Sequence, residues 1–168
     1  MQQRDQPVYI ITERTQALYK SESSYYKTEI LENVKRKKSR LSSLEIIDYS
    51  CIVQGSSTLK GRIESVINTF QIHNKVPIMI NPVKGIYLFP TASIRSPHCV
   101  WLSYYHVYSY HQDGAQCYIE FTNGEGMYVA ASENTIKMQR LRTSLIIAQV
   151  NKPYSFEKVN SPFTIKLK

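Results

Sequence analysis

Five cations fall within six positions at Lys35, Arg36, Lys37, Lys38 and Arg40. A run of this kind is either a solvated hairpin tip or an arm for a polyanion. Arginine in particular is drawn to the narrow minor groove of A-tracts, where the negative potential is strongest. Further cations stand where a helix should begin (Lys60, Arg62), in a loop (Arg95) and on a late helical segment (Arg140, Arg142). The helix dipole does nothing for a cation at a helix start, but such a cation beside free N–H groups suits a phosphate. The bland alternative for each is a solvated side chain.

Catalytic chemistry is thin. Cys99 beside His98 is the best nucleophile candidate, yet neighbours on a strand point to opposite faces, and a buried free thiol is the default for a lone cysteine. His98, Cys99, His106, His111 and Cys117 lie close in sequence, but without the CxxC or HxxxH pairing that a zinc site uses. The stretch GSSTLKG (55–61) has the glycines of a loose phosphate loop and lacks the GK[ST] of a P-loop. No enzyme, cofactor or metal is expected. Tyr104, His106, Tyr108 and Tyr110, read as one strand face, either stack unpaired bases or pack against the sheet.

The 168 residues carry a formal charge of +8, with 21 Lys+Arg against 13 Asp+Glu. The excess sits in residues 20–62 and 133–168, flanking a nearly neutral middle, as expected of a core domain that offers basic surfaces to a polyanion. Length suits one domain spanning 1–168. The longest apolar runs are far short of the roughly 20 residues of a spanning helix. No apolar run follows a basic tip at the start, so a secretory signal is not expected. Three cysteines in no paired spacing fit a reducing compartment.

Elements must hold these residues in place. PVYIIT (7–12) and YYKTEILEN (25–33) read as strands, 34–40 as a basic loop, and SLEIIDYSCIV (43–53) as a further β-rich run. Gly55 breaks that run, and Ser56 or Ser57 caps a helix whose stripe is Ile63, Val66, Ile67 and Phe70. VPIMI and GIYLFPT form a hairpin about NPVKG, and 93–98 is a loop. CVWLSYYHVYSY (99–110) reads as one strand. CYIEF and GMYVA flank the Asn123-Gly124 turn. Ser132 caps a second helix with Met138, Leu141, Leu145 and Ala148 as its apolar stripe, and residues 150–168 form a short basic tail, a mobile end or a late edge strand. The expected fold is α+β: one largely antiparallel, curved sheet of about seven or eight strands with two helices, one mid-chain and one near the C-terminus. A pleckstrin-like pattern is an analogy only.

DYSCIVQGSSTLKGR (48–62), KVPIMINPVKGIYLFPT (75–91), RSPHCVWLSYYHV (95–107), FTNGEGMYV (121–129) and RLRTSLI (140–146) together resemble the ComK family of competence transcription factors. The resemblance covers roughly 45–148; residues 1–40 diverge, so the basic run there rests on charge alone. It implies a cytoplasmic regulator, nucleoid-associated when bound, that activates DNA-uptake genes and its own promoter. It further implies binding to double-stranded DNA at AT-rich boxes, an A-run and a T-run across a short spacer, largely through the minor groove. The implied assembly is a dimer pairing into a tetramer, and the implied turnover runs through an adaptor protein and a Clp protease, with no membrane partner. The adaptor motif of the family has no clear counterpart in SFEKVNSPFTIKLK (155–168). Alternatives are a truncated, inactive regulator, or a non-catalytic interaction module whose basic face meets acidic partners.

Overall fold

The computed structural model describes residues 7–33 and 35–152. The tail expected at 150–168 therefore lies almost wholly outside the described residues. Among the described residues, nine strands form two sheets, both antiparallel throughout. The six strands β1 (Thr15–Lys20), β2 (Thr28–Glu32), β3 (Arg36–Ser39), β4 (Ile78–Asn81), β5 (Ile86–Pro90) and β6 (Trp101–Ser103) lie in the order β3-β2-β1-β6-β5-β4. The smaller sheet is β7 (Val107–Asp113), β8 (Gln116–Phe121) and β9 (Gly126–Val129). Three helices accompany them among the described residues, α1 (Ser43–Gly55), α2 (Leu59–Phe70) and α3 (Glu133–Val150). The α+β class thus holds, while the single curved sheet with two helices does not.

Successive side chains of the central strands enter opposite cores, as the period of two in a strand dictates. Leu18, Ile30, Leu88 and Trp101 join the core under α1 and α2, and their neighbours Ala17, Leu31, Phe89 and Leu102 join the core under the small sheet. α3 serves both, with Ile146 in the first and Ile136 in the second. β1 and β6 meet at Ala17↔Leu102 and Leu18↔Trp101, the join between the two halves of the large sheet.

The mid-chain helix α2, the hairpin β4–β5, the turn at Asn123-Gly124 (Gly124 φ 84°) and the Ser132 cap all stand as read from the sequence. Five expectations are corrected. PVYIIT forms no strand: the backbone of Ile11 is held instead by α1 side chains, with its N–H donating to Ser50 Oγ (3.0 Å) and its carbonyl accepting from Gln54 Nε2 (2.6 Å). SLEIIDYSCIV is helix, because Ser42 and Glu45 form a capping box and Ile46, Ile47, Ser50 and Cys51 share one buried helical face. Ser56 is the left-handed residue ending α1 (φ 49°), and the cap of α2 is Thr58, whose Oγ1 accepts from the Gly61 N–H. The segment 99–110 is broken by a 3-10 turn at Tyr104–His106, which carries the chain from the large sheet to the small one.

The fifth correction concerns α3. Met138, Leu141 and Leu145 are 42%, 50% and 60% exposed and Ala148 is exposed too; the buried face is Ile136, Gln139, Thr143 and Ile146. Hydrogen bonding replaces hydrophobicity at its centre. Gln139 Nε2 donates to the carbonyls of Lys75 (2.7 Å) and Pro90 (2.8 Å), and Thr143 Oγ1 donates to Gln139 O. A buried amide with partners is tolerated where an unpaired one is costly. Gln16 is the contrasting case: it is fully buried at a register shift of β1, and neither polar atom of its side chain has a partner. In urea titrations, Gln139→Leu should lower the unfolding free energy by about 2–3 kcal/mol, since two carbonyls lose their donor. Gln16→Met should raise it by about 1–2 kcal/mol. Equal and small effects of both would show that neither amide matters to the fold.

Candidate nucleic-acid interface

The basic run expected as a loop is an edge strand. β3 pairs with β2 in the register Glu29↔Lys38, Ile30↔Lys37 and Leu31↔Arg36, and nothing pairs with its outer edge among the described residues. Charged side chains are what an open edge tolerates, since they discourage a further strand from adding. Lys35, Arg36, Lys37, Lys38 and Arg40 are all exposed.

Neighbouring strands hold part of this row in place. Lys37 Nζ lies 3.2 Å from Glu32 Oε1 and 5.4 Å from the centre of the Tyr9 ring. Tyr9 donates to the same carboxylate oxygen at 2.6 Å; burial, and then Glu32 itself, push the phenol well above its ordinary pKa, so it stays protonated. Lys38 Nζ lies 3.6 Å from Glu29 Oε1, and the Arg40 guanidinium sits 4.1 Å over the Tyr25 ring. Lys35, Arg36 and Arg40 make no ion pair among the described residues. Five cations against the two carboxylates Glu29 and Glu32 leave a local positive surplus on a rigid element.

The remaining cations named from the sequence do not join this row. Lys60 is exposed at the start of α2, only loosely paired with Glu64 (3.9 Å). α2 lies over β4, the opposite edge of the sheet, five strand spacings or roughly 24 Å from β3. Arg62 turns inward and donates to Gly55 O at 3.3 Å, and a Cβ on Gly55 would collide with its guanidinium. Arg142 donates to Asn74 O (3.3 Å) and Gln139 Oε1 (3.1 Å), tying α3 to the loop before β4. Arg140 lies 5.8 Å and 5.6 Å from the ring centres of Tyr104 and Tyr110. Arg95 is exposed in its loop. Lys20 and Lys27, which the sequence reading passed over, flank the β1–β2 turn at the end of the sheet where β3 also ends, the Lys27 N–H donating to Ser39 O. The signal for them was weak, because each is a lone lysine in sequence.

The expected tyrosine face is dispersed. Tyr108 is 68% exposed, Tyr104 lies in the 3-10 turn and Tyr110 packs toward Arg140. The thiols are all buried, and burial pushes each pKa up, that of Cys51 to about 11 despite the opposing pull of Arg62. Cys99 Sγ donates to Ala92 O, and His98 is exposed with its backbone N–H on Ser96 Oγ. A neutral, buried thiol is the wrong state for a nucleophile. Among the described residues, no three His, Cys, Asp or Glu side chains gather as a metal site, and no helix is long and apolar enough to cross a membrane.

Fold and surface together define an α+β domain with a cationic sheet edge. The chain matches the family model described as ComK protein over residues 6–154, and it belongs to that family. A competence transcription factor of Bacillus subtilis (strain 168) is 35% identical over 105 residues, which make up 62% of this chain and 54% of that protein. The chain thus spans about half the length of the curated relative it matches. No solved structure matches it. Transcription factors are not an enzyme class.

The thiols give a direct test. A pKa near 11 against 9.0 for a free thiol cuts the thiolate fraction at pH 8 by about 100-fold. Iodoacetamide should therefore label Cys51 at least about 100 times more slowly in the native chain than in urea. The sign follows: stability from keeping this thiol neutral is complete below pH 9 and is lost as pH rises through about 11. Rapid, selective labelling of Cys99 in the native chain would overturn the picture of three inert thiols.

Proposed function

We propose that this chain is a competence transcription regulator that binds double-stranded DNA through the outer edge of β3. The observation that carries the reading is the surplus of cations on that edge, held by a strand rather than by a loop. Side chains two apart on one strand face stand about 6.8 Å from each other, close to two base-pair steps of duplex rise. Arg36 and Lys38 share a face, and Arg40 continues their direction beyond the strand end. In this reading Lys35 and Lys37 add to the field, Arg95 and Lys60 are outlying phosphate contacts, and Arg62 and Arg142 support the fold beneath. Arg140, stacked on two tyrosines, presents what remains of its guanidinium to the duplex.

Phosphate contacts position a protein on DNA without reading sequence. Preference for AT-rich boxes then comes from the narrow minor groove of A-runs, which attracts arginine above other cations. The same reading includes activation of DNA-uptake genes, dimers that pair into tetramers on paired boxes, delivery by an adaptor to a Clp protease, and a cytoplasmic, nucleoid-associated location.

A salt titration on a duplex with an A-run and a T-run, beside a GC-rich control, tests this. The native chain should show a steep log–log dependence of affinity on salt and a preference for the A/T duplex. Replacing Arg36, Lys38 and Arg40 by glutamine should flatten the slope by up to about 2.7, at roughly 0.9 per phosphate contact. An unchanged slope would move the interface elsewhere. Heparin bound as tightly as the A/T duplex would favour a general partner for acidic molecules.

A further inference from the structure

A cavity of about 380 Å³ opens at the end of the large sheet, between the β1–β2 turn, the start of α1 and the loop after β5. Two lysines, Lys20 and Lys27, and six serines line it, and no carboxylate does. Neither lysine has an ion-pair partner among the described residues. Three of the six serines keep a hydroxyl hydrogen to offer, whereas Ser21 Oγ donates its own to Glu29 Oε1 (3.2 Å). Ser23 Oγ accepts from the N–H groups of Tyr25 and Tyr26 (3.1 and 3.3 Å), Ser42 Oγ from Glu45 N–H (3.2 Å) and Ser96 Oγ from His98 N–H (3.2 Å). A hydroxyl whose oxygen already accepts keeps its own hydrogen to donate.

The nearest acids are committed elsewhere. Glu45 accepts the Ser42 N–H at 2.7 Å, and Glu29 takes Tyr19, Ser21 and Lys38. A cavity that presents cations and donors without acceptors is complementary to an acceptor-only oxyanion. Its apolar lining comes from Leu44, Ile94, Pro97 and Trp101, the last only 2% exposed. The volume falls within the range of small-molecule sites and exceeds what a bare inorganic ion fills.

We propose that this cavity binds a phosphoester, the phosphate held by Lys20, Lys27 and the hydroxyls of Ser23, Ser42 and Ser96, with a small apolar body against Leu44 and Trp101. The site adjoins the end of β3, where the Lys27 N–H donates to Ser39 O, but its lining includes no residue of the basic row and it does not rest on the DNA reading. Its phosphate has two chemical sources, a free organic phosphate or the backbone of a duplex.

Trp101 is the sole tryptophan of the chain and lies in the wall of this cavity, so its emission reports occupancy. Phenyl phosphate should change that emission saturably, inorganic phosphate should bind at least about 10-fold more weakly, and phenol should do nothing. Lys20→Gln with Lys27→Gln should weaken phenyl phosphate at least about 10-fold at an unchanged melting temperature, since both side chains are exposed. No saturable change with phenyl phosphate, confirmed by the absence of heat in calorimetry, would overturn the proposal; so would equal binding by the double variant. Competition between phenyl phosphate and an A/T duplex identifies the backbone as the source, and independent binding identifies a free phosphoester; either result supports the site. Loss of duplex binding in the β3 variant with phenyl phosphate binding intact would separate the two interfaces.

Discussion

A sheet covered on both faces needs apolar residues at both parities of its inner strands, and this requirement governs the molecule. Leu18 and Ala17, Ile30 and Leu31, Leu88 and Phe89, and Trp101 and Leu102 each send one side chain to either core. Strands under that demand have no room for cations. The charge of the chain is therefore displaced to places the two cores do not reach, namely the outermost strand, the turns and the helix surfaces. β3 is the edge strand that can be basic, because β2 alone packs closely on it, whereas the other edge, β4, is covered by α1 and α2.

Displacement to a strand, rather than to a loop, changes what the charge can do. A flexible arm loses conformational freedom when it is ordered on a ligand, and that loss subtracts from affinity. The cations of β3 have their backbone ordered already by the ladder to β2, and Lys37 and Lys38 are further set by Glu32 and Glu29. These carboxylates weaken the field locally. The surplus beyond them is what a polyanion meets. The second basic region, Lys20 and Lys27, owes its existence to a turn that brings two separate lysines to one end of the sheet.

Much of this was legible in the order of residues, and the exceptions have physical causes. Hairpins were plain because glycine supplies a left-handed backbone at Gly85 and Gly124. α2 was plain because its apolar residues recur at helical spacing. α1 was misread because isoleucines at 46 and 47 favour strands by propensity, although the box formed by Ser42 and Glu45 outweighs that weak preference. The face of α3 was misread because its core side carries Gln139 and Thr143, which are buried by hydrogen bonding and leave no hydrophobic trace. The break at Tyr104–His106 has no local signal; it follows from the demand that one aromatic-rich run serve two sheets. Of the interface, the run at 35–40 was visible as charge and invisible as a strand, while Arg62 and Arg142 looked like surface cations until their carbonyl partners were seen.

The pairing of β1 with β6 has a consequence for the birth of the chain. β1 ends at Lys20 and its partner begins at Trp101, so roughly 80 residues separate the emergence of the two, an interval of about 4–16 s at the pace of bacterial or eukaryotic synthesis. Through that interval the nascent meander of β1, β2 and β3 has one edge guarded by lysine and arginine and the other edge bare. That bare edge is the adhesive one, with Ala17 and Leu18 uncovered, and two ribosomes on one message would present identical copies of it to each other. The polarity of the meander, basic outside and apolar inside, thus makes co-translational crowding a hazard specific to its inner edge.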